Sequence, residues 1–367
     1  MTDGVVQSVT VGSYTVPTDA PEGDGTLAWD ATTIVIVQIG CDVQVGTGWT
    51  YGPAACAAVV HDLLTPVVMG RPVTDITGAW EAMVKAIRNA GREGMIGYAI
   101  SAVDIALWDL KARLLQLPLQ SLLGAVRQDV PVYGSGGFTT YEDAQLQRQF
   151  GHWVHEQGIP RVKMKIGQSW GTNSARDLAR MHQARRIIGE DVELYVDANG
   201  GYTRAQAIRV MQQVADLDIR WYEEPVSSDD LDGLREVRNQ VLPDVAAGEY
   251  GYDLFYFRRM CADEAVDCLQ ADASRCGGIT EWLRVAAVAA SYNLQLSGHC
   301  APHLHAQVAA AIPNLRHLEW FHDHVRIESM FFDGTLDPTG GTITPHPGAL
   351  GNGLTLKFDD IQQYRVN

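Results

Sequence analysis

The sequence predicts an α/β fold in which an N-terminal α+β unit precedes a run of parallel βα units closed into a barrel. Three observations predict it. The first third mixes β-like runs with one long helical pattern, eight short apolar runs alternate with helical stretches from about residue 130, and nearly every one of those runs ends in an ionisable residue. Alternation alone fits an open doubly wound sheet as well as a barrel. The positions of the polar residues favour the barrel, because a barrel gathers the ends of all its strands around one mouth.

Gly4–Val11, Thr32–Ile39 and Val43–Thr50 are β-rich and separated by turn signals. Within Met95–Leu123, Ile96, Ile100, Val103, Ile105, Leu107, Leu110 and Leu114 follow near-helical spacing until Pro118 interrupts it. Strands first and helices after describe an α+β unit. The eight later runs are Val130–Gly134, Arg161–Ile166, Val192–Asp197, Ile219–Glu223, Val245–Glu249, Val266–Asp272, Asn293–His299 and Arg316–Trp320, with helices such as Ser174–Ile188 and Arg204–Leu217 between them.

Lys163 and Lys165 end the second run, and Asp197, Glu223, Glu249, Asp272, His299 and Glu319 end those that follow. From Lys165 onward they stand 32, 26, 26, 23, 27 and 20 residues apart, each about one βα unit. A strand carboxylate flanked by apolar residues, as in Leu194-Tyr195-Val196-Asp197, is costly to bury unless a partner takes its charge. Asp197, Glu223 and Glu249 on adjacent strands make an all-oxygen site suited to Mg²⁺ rather than Zn²⁺. Lys163 and Lys165 share a strand face. At about 4 Å and an effective dielectric of about 20 their repulsion is about 4 kcal/mol, enough to depress one lysine pKa by about three and make it a base. Asp272 is placed to orient the imidazole of His299 as a second acid/base, and Glu319 to reach a substrate carboxylate if protonated or strongly hydrogen-bonded. Glu224 follows a ligand on the same strand, so alternation turns it away. His303, His305, His322 and His324 are not expected to hold a second metal.

The chain has 367 residues, 46% hydrophobic and 20% charged, with a net charge of −16. It is too long and too apolar for a disordered chain, and the charge excludes a broad surface for nucleic acid or an anionic membrane. Residues 1–70 hold seven acids (Asp3, Asp19, Glu22, Asp24, Asp30, Asp42, Asp62) and no lysine or arginine. Six scattered cysteines, no leader at Met1-Thr2-Asp3 and no apolar run long enough to span a bilayer describe a soluble cytoplasmic protein with reduced thiols.

Several segments together resemble the enolase superfamily, specifically its mandelate racemase subgroup: VKMKIG (162–167), VDANG (196–200), WYEEP (221–225), AGEY (247–250), QADASRCGGIT around Asp272, SGH (297–299), HLEW (317–320) and the helical stretch 99–124. The resemblance implies an N-terminal α+β capping domain (1–127), a modified (β/α)7β TIM-like barrel (128–320) and a C-terminal segment (321–367) returning to the cap. It implies Asp197, Glu223 and Glu249 as Mg²⁺ ligands and Lys165 as base, with Lys163 tuning its pKa and touching the substrate carboxylate. His299 with Asp272 becomes the opposite acid/base, and Glu319 stabilises an enolate. In this subgroup substrate choice rests on two cap loops, expected at about Ser13–Thr26 and Thr47–Tyr51. These offer Tyr14, Trp49 and Tyr51 as substrate-binding residues, with Asn199 joining them from the barrel.

The reaction implied is proton abstraction α to a carboxylate of a small molecule, most simply dehydration of an acid sugar to a 2-keto-3-deoxy acid. Racemisation or epimerisation of a 2-substituted carboxylate is the alternative, and a non-catalytic scaffold is disfavoured because every catalytic position is filled. The cation-free cap argues against a second substrate carboxylate bound there, although Arg275 remains available for a diacid. A homo-oligomer is expected.

Overall fold

The computed structural model describes residues 4–42 and 44–366. Val43, which opens the third β-like run, and the start Met1-Thr2-Asp3 lie outside the described residues. The cap begins with an antiparallel meander of β1 (Ser8–Gly23), β2 (Ala28–Cys41) and β3 (Gln44–Tyr51). Both segments expected as cap loops, Ser13–Thr26 and Thr47–Tyr51, are therefore mostly strand. Their Thr, Gly and Pro content reads as turn, but pairing continues from Ser8↔Gly40 to Pro17↔Ala31, then shifts register and resumes at Glu22↔Trp29. The extra residues of β1 form a bulge at the barrel side of the cap.

The Met95–Leu114 helix backs this sheet. Its small residues Ala102 and Ala106 face Gly48 of β3, where a Cβ would overlap the Ala102 carbonyl and the Ala106 amide, so only glycine lets strand and helix approach this closely.

Eight parallel strands follow: β4 (Val130–Gly136), β5 (Arg161–Lys165), β6 (Glu193–Asp197), β7 (Ile219–Glu223), β8 (Asp244–Ala247), β9 (Cys268–Ala271), β10 (Gln295–Gly298) and β11 (Leu315–Phe321). They lie in sequence order, and β11 pairs with β4 to close the barrel. Seven α-helices connect them in the right order for a (β/α)7β barrel. The open-sheet alternative is thereby excluded.

Period-2 alternation stacks the barrel interior in layers. Tyr133, Tyr195, Trp221 and His317 pack ring against ring, with centroids 4.7–6.4 Å apart. Two residues further along the same strands stand Ser135, Asp197, Glu223 and Glu319. An aromatic floor thus seals the barrel beneath a polar layer. After β11 the His322–Phe331 helix leads into a tail that pairs with the cap at Pro118↔Gly351 and Tyr14↔Arg365. All six cysteines are free and buried, and no helix among the described residues is long and apolar enough to cross a membrane.

Gly48→Ala should destabilise the chain by about 1–3 kcal/mol, the cost of overpacking a close contact. Denaturant unfolding would show a lower midpoint. An unchanged midpoint would mean that strand and helix are not pressed together there.

Candidate active site

Strand register places Lys165, Asp197 and Glu223 side by side on β5, β6 and β7. Glu249 joins them from two residues past β8, after Gly248 at φ +135, where a Cβ would overlap the Gln270 carbonyl. Asp272 and His299 each follow the last residue of their strands, and Glu319 lies within β11. The expected barrel residues therefore converge at one mouth, as the sequence spacing requires.

Oxygens of Asp197, Glu223 and Glu249 lie within 4.8 Å of one another, and all three residues are buried. Glu249 Oε2 has no hydrogen-bond partner. Three carboxylates crowded at the barrel mouth, with one buried oxygen unsatisfied, fit a hard divalent cation such as Mg²⁺.

The lysines occupy the same charge network. Lys163 Nζ donates to Glu223 Oε1 at 2.5 Å and lies 2.8 Å from Glu319 Oε1 and 3.3 Å from Asp197 Oδ2. Lys165 Nζ donates to that same Asp197 oxygen at 2.5 Å. Burial disfavours both ammonium groups. The carboxylates outweigh it, Glu223 and Glu319 for Lys163 and Asp197 for Lys165, and both pKa values rise. This corrects the expected depression: the mutual repulsion is present, but Asp197 Oδ2 sits between the two charges and cancels it. Burial would raise Asp197, yet Lys165 and Lys163 hold it down at about 2. Burial and then the Asp197 charge push Glu223 up against the Lys163 ammonium.

His299 stands three strands from Lys165 in one direction around the barrel and five in the other. Its Nδ1 is 2.8 Å from Asp272 Oδ2, while Asp272 Oδ1 accepts from the Ser274 amide and hydroxyl, both at 2.7 Å. Burial opposes ionisation of Asp272, but the hydrogen bond and charge of His299 hold its carboxyl far below the usual range. Facing a carboxylate, Nδ1 is the nitrogen that donates to Asp272, while Nε2 lies near Cys300 Sγ (3.3 Å) and Glu249 Oε2 (3.5 Å). Glu319 accepts from Ser135 Oγ (2.6 Å) and the Cys300 amide (2.9 Å). Burial is overcome chiefly by Lys163, so Glu319 stays ionised, the strongly hydrogen-bonded of its two expected states.

A cleft of about 360 Å³ opens above these groups, lined by Lys165, Asn199, Glu249, Arg275, His299 and Glu319 from the barrel. Asp24, Trp29, Thr32, Thr33 and Tyr51 line it from the cap. Tyr51 and Asn199 thus stand where substrate contact was expected, with Tyr51 stacked on His324 at 3.4 Å. Tyr14 and Trp49 do not: Tyr14 packs edge-on to Phe331, and Trp49 packs on Phe332 and donates to Glu328. Tyr14, Trp49 and Tyr51 share one face of the sheet, since Tyr14 and Tyr51 both pair with Ile34 and Trp49 stands two residues from Tyr51. The helix after β11 and its end cover Tyr14 and Trp49 through Phe331, Phe332 and Glu328, and only Tyr51 borders the cleft.

Glu224 is a further correction. β7 ends at Glu223, Glu224 takes a left-handed φ of +37, and its carboxyl is buried with Oε1 unpartnered. After burial, the charges of Glu249, Asp197 and Glu223 push its pKa well up, so it packs beside the cluster rather than away from it. Cys300 and Ser135 were not singled out from sequence; only adjacency to His299 and position on the first barrel strand mark them. His303 Nδ1 accepts from the Leu336 amide and His305 Nε2 from the Ala273 amide, so both serve the backbone.

A parallel barrel whose mouth opposes an ammonium pair to an imidazole–carboxylate dyad across a hard-metal cluster is the framework of enzymes that make enolates from carboxylates. The family model described as the mandelate racemase/muconate lactonizing enzyme N-terminal domain matches residues 11–124, and that described as enolase C-terminal domain-like matches residues 145–361. The chain belongs to this mandelate racemase/muconate lactonizing enzyme family of the enolase superfamily. It is 33% identical over 283 residues to an L-talarate/galactarate dehydratase from Salmonella typhimurium, covering 75% of this chain and 70% of that one. It is 30% identical to a 3,6-anhydro-alpha-L-galactonate cycloisomerase from Streptomyces coelicolor over 99% and 100% of the two chains. A crystal structure of a mandelate racemase/muconate lactonizing enzyme-like protein from Rubrobacter xylanophilus superposes with a TM-score of 0.95 at 47% identity, covering 99% of this chain and 100% of that one. Solved structures of similar chains hold magnesium.

Mg²⁺ should raise the melting temperature of the wild-type protein, by the equivalent of about 2.7 kcal/mol at a hundredfold excess over Kd. Glu249→Gln should lose most of that rise. Equal shifts in calorimetry would remove Glu249 from the metal site.

Proposed function

We propose that the cleft binds an acid sugar by its carboxylate end and dehydrates it to a 2-keto-3-deoxy acid. The observation that carries this is the placement of two proton-handling groups, Lys165 and the His299–Asp272 dyad, on different sides of one cleft above the three-carboxylate cluster. Asp197, Glu223 and Glu249 would hold Mg²⁺, which would supply positive charge to the substrate carboxylate on which the enolate charge develops.

Lys165 takes the C2 proton as the neutral amine, the form that its repulsion from Lys163 favours and that the Asp197 charge opposes unless an ion bound there offsets it. Lys163, buried beneath, stays charged and stabilises the carboxylate oxygens. His299 then protonates the hydroxyl on C3, water leaves, and the resulting enol takes a proton at C3 to become the keto acid. Asp272 orients the imidazole and stabilises its charged form. Glu319 has no proton to donate in this arrangement. It acts as a positioning residue that holds Lys163 and borders His299 Nε2 at 3.7 Å.

On the cap side the substrate's far end meets Asp24, Trp29, Thr32, Thr33 and Tyr51, with no cation among them. Arg275 is engaged, 3.2 Å from Glu249 Oε1 and 3.6 Å from Asp272 Oδ2. These contacts favour a hydroxylated monoacid over a diacid, even though one relative is a galactarate dehydratase. Acid/base groups on two sides also support a second reading, racemisation or epimerisation, in which His299 returns the proton to C2 instead.

A panel of mono- and diacid sugars with Mg²⁺, read by a keto-acid assay, should identify a monoacid substrate. Lys165→Ala and His299→Asn should each then lower kcat by about 10²–10⁴. Deuterium at C2 of recovered substrate in D₂O without keto acid would replace dehydration by epimerisation, and an unaffected His299→Asn enzyme would remove the dyad from the mechanism.

A further inference from the structure

Asp19 lies within the β1 bulge and Glu22 where pairing resumes after it, and His322 opens the helix that follows β11. One donor atom from each lies within 4.8 Å of the others. His322 Nε2 is 3.1 and 3.0 Å from the two Asp19 carboxylate oxygens. That is a hydrogen-bonded pair, which a tetrahedral ion with bonds of about 2.1 Å would have to open only to about 3.4 Å. Glu22 is fully buried, its Oε2 accepting from Trp29 Nε1 at 2.9 Å while its Oε1 has no partner. The nearby charges do not answer it. Asp323 is taken by Arg326, at 2.6 Å, and by Thr32, and Arg326 is further spent on the Pro17 carbonyl. Burial and then Asp323 push the Glu22 carboxyl up to about 9, against the Trp29 hydrogen bond and the Arg326 charge.

We propose that Asp19, Glu22 and His322 form a second divalent-cation site, separate from the catalytic carboxylates, that clasps the cap hairpin to the end of the last barrel strand. One imidazole nitrogen and two carboxylates select a Zn²⁺-type ion over Mg²⁺, and three protein ligands leave room for water. The clasp controls the cleft from behind: Trp29, which Glu22 holds, lines it from the cap, and Phe321, next to His322, lines it from the barrel. An ion there immobilises the hairpin that covers the substrate.

The test uses the full chain carrying Glu249→Gln and Cys300→Ser, which disables the Asp197/Glu223/Glu249 cluster and the His299/Cys300/Glu319 cluster. Equilibrium dialysis against Zn²⁺ should find one bound ion per chain. Adding Asp19→Asn or His322→Gln should weaken binding at least about tenfold, the loss that even an outer partner of a metal ligand causes. Zn²⁺ should also slow amide hydrogen exchange across residues 17–32 in the double variant but not in the triple ones. Asp19 is half exposed, so its replacement leaves the fold intact if His322→Gln does not. No Zn²⁺ bound by the double variant, or equal binding after either added substitution, would overturn the proposal.

Discussion

The structure depends on one oxygen. Asp197 Oδ2 lies between the ammonium groups of Lys163 and Lys165 in a mouth that water does not reach from below. Two buried lysines on one strand face repel, and a cluster of buried carboxylates repels likewise; each set is tolerable only because the other is present. Breaking the pair from either side leaves an uncompensated charge in the barrel. This mutual requirement explains why cations sit on β5 while carboxylates follow directly on β6 and β7. It also explains why the mouth is prepared for a divalent ion, whose charge substitutes for that of the lysines on the carboxylates.

Two levels of construction keep that network in place. Below it, Tyr133, Tyr195, Trp221 and His317 fill the barrel and exclude water, which strengthens every charge interaction above. Around it, small departures from regular backbone deliver the groups that strands alone cannot. Gly248 turns Glu249 inward, and left-handed Cys300 and Ala301 bend the chain away after His299. The cap then closes the cleft with a hairpin rather than a loop, which makes its contribution to specificity a matter of how firmly that hairpin is held.

Much of this was legible in the sequence because its logic is periodic. Barrel strands appear as short apolar runs at βα spacing, and each run's last ionisable residue marks the mouth. The meeting of Asp197, Glu223, Glu249, Asp272, His299 and Glu319 at one mouth was therefore readable from the sequence alone. What was not legible depends on partners distant in the chain. Tyr14 and Trp49 read as cleft aromatics but are covered by Phe331, Phe332 and Glu328, which come from the far end of the chain. Glu224 reads as outward, yet the strand ends one residue before it and alternation no longer applies. The lysine pair reads as a depressed base when taken alone. Only the register of β5 with β6 shows that an aspartate answers both charges.

The central claim is that this mouth removes the proton next to a carboxylate. It is tested most directly by NMR of the product formed in D₂O from the substrate the panel identifies, with Mg²⁺ present. A proton taken by an enzyme base and an enol reprotonated from solvent predict a 2-keto-3-deoxy acid carrying one deuterium at C3. A product in which the original C2 hydrogen is fully retained at C3 would show an internal hydride shift instead and would contradict the account.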